Sequence, residues 1–331
     1  MDTKTHLLQK CWAAVLPLSL ALMISSCNKN IDYFVPDPGQ VMGPDTNWVS
    51  NITTAMPVSF LKNTLLLKPV TDSLDLQKND TADNAAGLKC AITANSFSDT
   101  LGHLATGTVK VEMMMLTKKG DFIRMDKPTV ANGKVLSSSG IINVKISKAG
   151  STLIIGQNEK LSLQVYNPLA TSQNKLYFQE FNTTGEFNWL EDFAGSRNEI
   201  VPNNYGYDIK TNKLGWMSAS KPLETLALTN IAISLPAQYT NANAVAYLVY
   251  SDTKSVVNLS ANTSIKKFGG TNLPGGKAAT VVVLSKQGND YYAAFKTITT
   301  NSSIGNISNQ IVTVLPVKIT INAIEQQLNA L

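Results

Sequence analysis

Apolar and polar residues alternate with a period of two along most of the chain beyond residue 50. The clearest runs are 88–92, 109–115, 142–147 and 161–165. Successive side chains of a β-strand point to opposite faces, so this period predicts strands with one buried face. Turns that contain glycine separate the runs, at 99–102, 119–121, 132–133 and 149–150. Many short strands joined by such turns predict an antiparallel β-sandwich over residues 49–168.

Strand-like runs resume in the last third of the chain, at 231–235, 244–250, 280–284, 291–298 and 311–317. Residues 287–290 separate two of these runs and predict a β-hairpin, in which Gly288 or Asn289 adopts a positive φ. The chain closes with the pattern of a short helix, with Asn322 as its cap and Glu325 three residues later, as in a capping box. The predicted fold is all-β, with two antiparallel β-sandwich domains and a short C-terminal helix, the second domain covering 217–331.

An aromatic-rich segment, 169–216, is predicted to connect the two sandwiches. It holds nine of the 24 aromatic residues: Tyr177, Phe178, Phe181, Phe187, Trp189, Phe193, Tyr205, Tyr207 and Trp216. Large aromatic side chains dominate cores and interfaces, so the favoured interpretation is that these rings pack the junction between the two modules.

Carboxylates interleave with these rings, which leaves two further interpretations open. The first is a glycan-binding surface, in which rings stack on sugar faces and carboxylates bind hydroxyls; its candidate residues are Trp189, Tyr205, Tyr207, Trp216, Glu186 and Asp192. The second is a glycoside hydrolase that works without histidine, using Glu186 together with Glu191 or Asp192 as its pair of carboxylates.

The first 27 residues are typical of a bacterial lipoprotein signal. Lys4 and Lys10 make the beginning of the chain cationic, and a mostly apolar run follows at 12–24. This run is too short to span a bilayer core, but its length is typical of the apolar part of a signal peptide. Residues 24–27, Ile-Ser-Ser-Cys, resemble a lipobox, in which cleavage leaves the cysteine as the acylated N-terminus. The sequence predicts a signal peptide over 1–26, lipidation of Cys27 and a tether over 27–48.

The stretch 92–165 resembles the ZU5-related β-modules of Bacteroidetes surface lipoproteins. The positions that match are mainly turn glycines and apolar strand residues: Phe97, Asp99, Gly102, Gly107, Val109, Val111, Pro128, Thr129, Gly133, Leu136, Ser138, Gly140 and Gly150. The resemblance implies a β-sandwich in an exported, lipid-anchored protein, and it brings no catalytic residues with it.

Histidine, cysteine and arginine are scarce, which narrows the chemistry. The chain has two histidines, three cysteines and two arginines, within a formal net charge of +5. Beyond the predicted signal, His103 lies in a turn and is expected to be solvated, while Cys90 lies among alternating apolar residues and is expected in a core. Structural zinc sites need four Cys or His ligands, and nucleic-acid surfaces favour arginine. No metal, cofactor or nucleic acid is therefore expected.

Three short Asp-Ser/Thr-aliphatic triplets resemble the O-glycosylation motif of exported Bacteroidetes proteins. Their hydroxyl-bearing residues are Ser73, Thr81 and Thr100. Together these features predict an outer-membrane, lipid-anchored protein that is not an enzyme. Its expected role is binding or scaffolding, with an envelope protein or a glycan as the partner.

Overall fold

The computed structural model describes residues 47–168, 170–181, 187–302 and 307–331. The predicted signal peptide, Cys27 and almost all of the predicted tether lie outside the described residues. The described residues belong to one compact unit. Its helices are α1 (Pro57–Leu65), α2 (Lys119–Arg124) and α3 (Ile321–Asn329).

The first sheet has eight strands and includes the long strand at its middle, β7. Its order is β1 (Val70–Asp75), β5 (Thr108–Leu116), β7 (Lys134–Lys148), β15 (Gly215–Pro222), β11 (Lys175–Phe181) and β12 (Phe187–Glu191), with β6 (Val130–Ala131) and β8 (Ser151–Thr152) also paired to β7. All of these pairs are antiparallel.

A second sheet of five strands packs against one face of the first. Its order is β13 (Glu199–Pro202), β14 (Gly206–Thr211), β10 (Leu161–Tyr166), β3 (Leu88–Ile92) and β2 (Asp80–Asp83), and a small pair lies beside it, β4 (Phe97–Ser98) with β9 (Ile154–Ile155). The apolar positions of the alternating runs, such as Cys90, Val111 and Leu163, meet in the core between these two sheets. These two sheets include strands from beyond residue 168, the predicted end of the first sandwich.

The third sheet is curled around a core of its own. Its order is β22 (Ile307–Thr313), β16 (Leu228–Ser234), β19 (Lys267–Pro274), β18 (Val256–Asn262), β17 (Ala244–Tyr250), β20 (Ala278–Gln287), β21 (Asp290–Thr299) and β23 (Val317–Ile319). Its interior is filled by side chains such as Leu248, Phe268 and Val283. Every pair is antiparallel except β16 with β22, which is parallel.

A further cluster, the central core, joins the first sheet to the curled sheet and the three helices. It contains Leu61 of α1, Phe122 of α2, Trp189 of β12, Val282 of β20 and Leu328 of α3. The elements that meet here come from both ends and the middle of the described chain. Both modules therefore share one apolar cluster.

The predicted all-β fold with a short C-terminal helix is confirmed. The cap of α3 differs from the predicted Asn322, because the hydroxyl of Thr320 accepts the amide of Ala323 at 3.2 Å. In the β20–β21 hairpin the positive φ belongs to Gly288. The segment 169–216 contributes β11 to β14, and its predicted boundary at residue 217 falls inside β15. This segment is therefore part of the first two sheets.

Candidate functional site

Trp189, the first residue of the predicted glycan surface, is fully buried. Its side chain has 0% exposure, and its ring meets Phe187 edge-on, with centroids 5.2 Å apart and planes at 88°. The indole Nε1 donates to the carbonyl oxygen of Pro128 at 2.8 Å, so its only polar atom is also satisfied inside the protein. The ring fills the central core and is closed to an external ligand, which corrects its assignment as a ligand-binding residue.

Tyr207 is buried in the other core, between the first two sheets, at 1% exposure. Its hydroxyl accepts the amide of Thr171 at 2.8 Å and the side-chain amide of Asn174 at 2.9 Å. A phenol with both of these donors in place ties a loop to β14. Tyr207 is therefore a structural residue, and its assignment to a glycan surface is corrected as well.

Trp216 is half-buried, and a cation of the same chain covers its ring. The Nζ atom of Lys127 lies 4.8 Å from the ring centroids of both Trp216 and Phe187. The same atom donates to Oε1 of Gln179 at 2.8 Å. A cation over an aromatic face is attracted by the ring quadrupole. Lys127 thus covers one face of the Trp216 ring.

Burial lowers the pKa of Lys127 to about 8, although the nearby Asp126 carboxylate opposes the shift. The ordinary pKa of lysine in an unfolded chain is about 10.4. Between these values the unfolded chain holds this proton more firmly than the folded chain does, so the free energy of unfolding rises with pH across the window. The sequence pattern does not indicate that Lys127 is buried, because the rings that cover it are distant along the chain.

We expect Lys127→Met to remove this pH-dependent part of the stability. Between pH 7.5 and 10, the wild type should gain up to about 1 kcal/mol relative to the variant, a value reduced for partial solvation of the ammonium. Urea unfolding at several pH values measures the difference. The matched control is Lys134→Met at an exposed position, which should run parallel to the wild type. A wild type that loses stability relative to Lys127→Met as the pH rises would contradict the assignment.

Tyr205 is the remaining aromatic residue of the predicted surface, and it is half-buried in the turn between β13 and β14. It meets Tyr166 at 5.2 Å between ring centroids, with the planes at 66°. Rings at this angle do not form one flat platform. Tyr205 belongs to the second sheet and Trp216 to the first, so the structure does not align the four predicted rings into a row.

The predicted carboxylates are engaged within the protein or lie outside the described residues. Asp192 accepts from the hydroxyl of Ser196 and from the side-chain amide of Asn198, and so orders its own loop. Hydrogen bonds from Lys175 and Tyr177 hold the pKa of Glu191 below its usual value. A general acid in glycoside hydrolysis needs a raised pKa, so Glu191 is unsuited to that role. Glu186 lies outside the described residues.

Cys90 and His103 lie where the sequence placed them. Cys90 is fully buried in β3, and burial raises the pKa of its thiol to about 12, so the reactive thiolate is scarcely formed at neutral pH. The His103 side chain is 76% exposed in its turn, and its Nδ1 atom lies 3.0 Å from Oδ2 of Asp99. Both expectations, a core thiol and a solvated turn histidine, are confirmed.

The three predicted glycosylation positions are all exposed: Ser73, Thr81 and Thr100. They differ in what surrounds them. Ser73 lies in β1 and Thr81 in β2, and the aliphatic residue that follows each is buried, with Leu74 at 1% exposure and Ala82 at 0%. Thr100 lies in a turn, where Leu101 is 81% exposed. The whole triplet is therefore open to a transferase only at Thr100, and modification stays a prediction at all three positions.

The described residues offer neither a metal-binding cluster nor a membrane-spanning helix. No group of three or more His, Cys, Asp or Glu side chains is placed to hold a metal ion in the described part of the chain. Among the helices that the structure describes, none is long and apolar enough to cross a bilayer.

Comparison with known proteins gives little beyond the geometry. No family model matches the chain, and no curated protein matches it. One solved structure to which the chain is similar is the Gamma-CGTASE from Alkalophilic Bacillus clarkii, at 8% sequence identity and a TM-score of 0.20. The match covers 75% of this chain and 42% of that one, so this chain spans less than half of its length. At this TM-score the likeness carries no argument about function.

Proposed function

We propose that this chain is a lipid-anchored protein of the bacterial outer membrane whose β-body binds or scaffolds other envelope components without catalysis. One observation carries the proposal, the tetrapeptide Ile-Ser-Ser-Cys at 24–27 directly after a short apolar run. Two acyl chains already anchor a protein stably, so modification of Cys27 would hold the body at a membrane.

The β-body supports the binding part of this proposal through what its side chains already do. The Cys90 thiol is buried, Asp192 holds its own loop together, and Trp189 and Tyr207 fill cores. These four of the side chains considered for catalysis or glycan contact therefore have structural roles. The body that they stabilise is suited to presenting a surface.

The anchor is tested by Cys27→Ala expressed in a bacterium that processes lipoproteins. We expect the wild type to incorporate labelled palmitate and to sediment with membranes, and the variant to lose both almost completely, because the thioether that carries the diacylglycerol cannot form.

Cys11→Ala is the matched control, since it removes a cysteine from the same segment outside the tetrapeptide. It should behave as the wild type does. Palmitate incorporation that persists in Cys27→Ala, or that disappears in Cys11→Ala, would refute the assignment of the anchor.

A further inference from the structure

A slot opens in the curled sheet between β21 and the end strand β22, beside the other end strand, β23. β23 pairs with β21 only through Tyr291–Ala293, so the rest of β21, residues 294–299, has no strand on that side. β22 lies opposite and pairs with β16 on its other side. The slot has a volume of about 430 Å³ and is lined by residues 293–296 of β21, the segment 313–315, Val317 and Ile319 of β23, and Gln327 of α3.

Side chains, and not main-chain hydrogen bonds, bridge β21 and β22. Nζ of Lys296 donates to the carbonyl oxygen of Thr313 at 2.8 Å, and Nε2 of Gln310 donates to the carbonyl oxygen of Thr299 at 3.0 Å. Adjacent strands in a sheet lie about 4.8 Å apart. Within the described residues, β21 and β22 share no ladder of main-chain bonds at that spacing, and the slot separates them.

The edge of β21 presents unpaired main-chain groups to this slot. In an antiparallel pair, alternate residues exchange hydrogen bonds with one neighbour, and the residues between them point to the other side. The amide of Thr300 donates to the carbonyl oxygen of Lys277, which directly precedes β20, at 2.9 Å. In the β20–β21 register, this bond shows that the even-numbered residues of β21 are the ones bonded to β20. Phe295 and Thr297 therefore direct their amide and carbonyl groups into the slot.

Apolar side chains surround the same opening. Leu315 is 67% exposed and Val317 is 60% exposed, and both line the slot. Exposed apolar residues beside an unpaired strand edge mark a surface suited to a partner. The ammonium of Lys296, which has three protons and one main-chain acceptor, supplies positive charge at the rim.

We propose that this slot accepts an extended peptide of another protein, which adds as a strand to the free edge of β21. The peptide places an apolar side chain among Phe295, Leu315 and Val317, and a carboxylate at Lys296. This inference deepens the proposed binding role and rests on it. Strand addition obtains its affinity from main-chain hydrogen bonds and its specificity from pockets for alternate side chains.

The main-chain groups of Phe295 and Thr297 favour a peptide over other occupants. An acyl carboxylate would use the apolar lining and Lys296 but would leave two amides and two carbonyls without partners. A second copy of the chain would add its own β22 as the extra strand. Part of the edge of β22 is already covered, because Nδ2 of Asn301 donates to the carbonyl oxygen of Asn309 at 3.3 Å. A separate extended segment uses all three features of the slot.

The test uses the full chain in lipid nanodiscs and an array of fluorescent hexapeptides with valine, leucine or isoleucine at alternate positions and a free carboxylate. We expect saturable binding by a subset, read by fluorescence anisotropy, and slower hydrogen exchange in the segment 290–300. Binding should weaken at least tenfold when the main-chain amides of the peptide are methylated. Leu315→Asp should weaken binding to a similar degree, whereas Leu226→Asp, at an exposed position, should not.

Several results would overturn the proposal. They are no binding by any peptide of the array, equal binding of the methylated peptide, equal protection by sodium decanoate, or a dimer in light scattering that Leu315→Asp dissolves. Lys296→Ala should weaken binding of the free carboxylate more than binding of the amidated peptide, and equal weakening would also count against it. The palmitate experiment is independent of this slot, so failure of the two proposals can be told apart.

Discussion

Trp189→Ala is expected to lower the free energy of unfolding by about 3–5 kcal/mol, the range for removing a large aromatic side chain from a core. The ring is fully buried among side chains from both modules and the helices. Removal leaves a cavity that these separate elements cannot easily close, and it leaves the Pro128 carbonyl without its donor. Since whole domains are stable by only about 5–15 kcal/mol, urea unfolding followed by circular dichroism should show a large shift.

Two variants separate the packing of Trp189 from its hydrogen bond. Trp189→Phe keeps a ring and loses the Nε1 donor, so it should cost less than the alanine variant. Phe193→Ala removes a ring that is 69% exposed, and its effect should stay within about 0.5 kcal/mol. An alanine variant at 189 that is as stable as the one at 193 would show that the ring does not support the central core.

Gly120→Ala should destabilise the protein by about 3 kcal/mol, although alanine normally favours a helix over glycine by about 1 kcal/mol. Gly120 lies in α2 where that helix meets α3. A Cβ atom there would lie 2.0 Å from the carbonyl oxygen of Leu328 and 2.5 Å from its carbonyl carbon. Both atoms belong to the backbone, so the two helices must move apart. The thermal midpoint is therefore expected to fall, the opposite of the usual effect of replacing a helical glycine with alanine.

Gly140→Ala is the control for Gly120→Ala. Gly140 is also a buried glycine, and the nearest atom to an added Cβ is the carbonyl oxygen of Leu116 at 3.5 Å, an ordinary contact. This variant should retain most of the stability. A Gly120→Ala protein that melts at or above the wild-type midpoint would mean that α2 and α3 are not in close contact.

Alternation in the sequence was sufficient to identify strands but not their neighbours. Leu88, Cys90 and Ile92 show which face of β3 is buried, because a strand has a strict period of two. The same period does not predict that β15 lies between β7 and β11. In that position Met217 of β15 is paired with Ile142 on one side and with Phe178 on the other. Pairing over such distances depends on the whole fold, so the boundary at 217 could not be found from local pattern.

The aromatic segment shows a second limit. Burial of its rings was the favoured interpretation, yet Trp189 and Tyr207 enter different cores. Which core a ring enters depends on which sheet its strand joins. The predicted elements do not include the helix α1, although its sequence carries a local signal, Pro57 at its first position with Leu61 and Leu65 four residues apart. No local signal indicates that α1 packs near Tyr247 and Val282.

The position of α3 has a consequence for the order in which the protein is made. Leu328 and Ile324, in the nine-residue helix α3, share the central core with residues of α1 and α2, which are synthesised far earlier. Domains form as units while the ribosome adds about 5–20 residues per second. Here the cluster around Trp189 lacks the side chains of Ile324 and Leu328 until residues 321–329 have left the ribosome. A nascent chain stopped short of Ile321 therefore exposes this apolar surface, which makes it a substrate for chaperones and proteases.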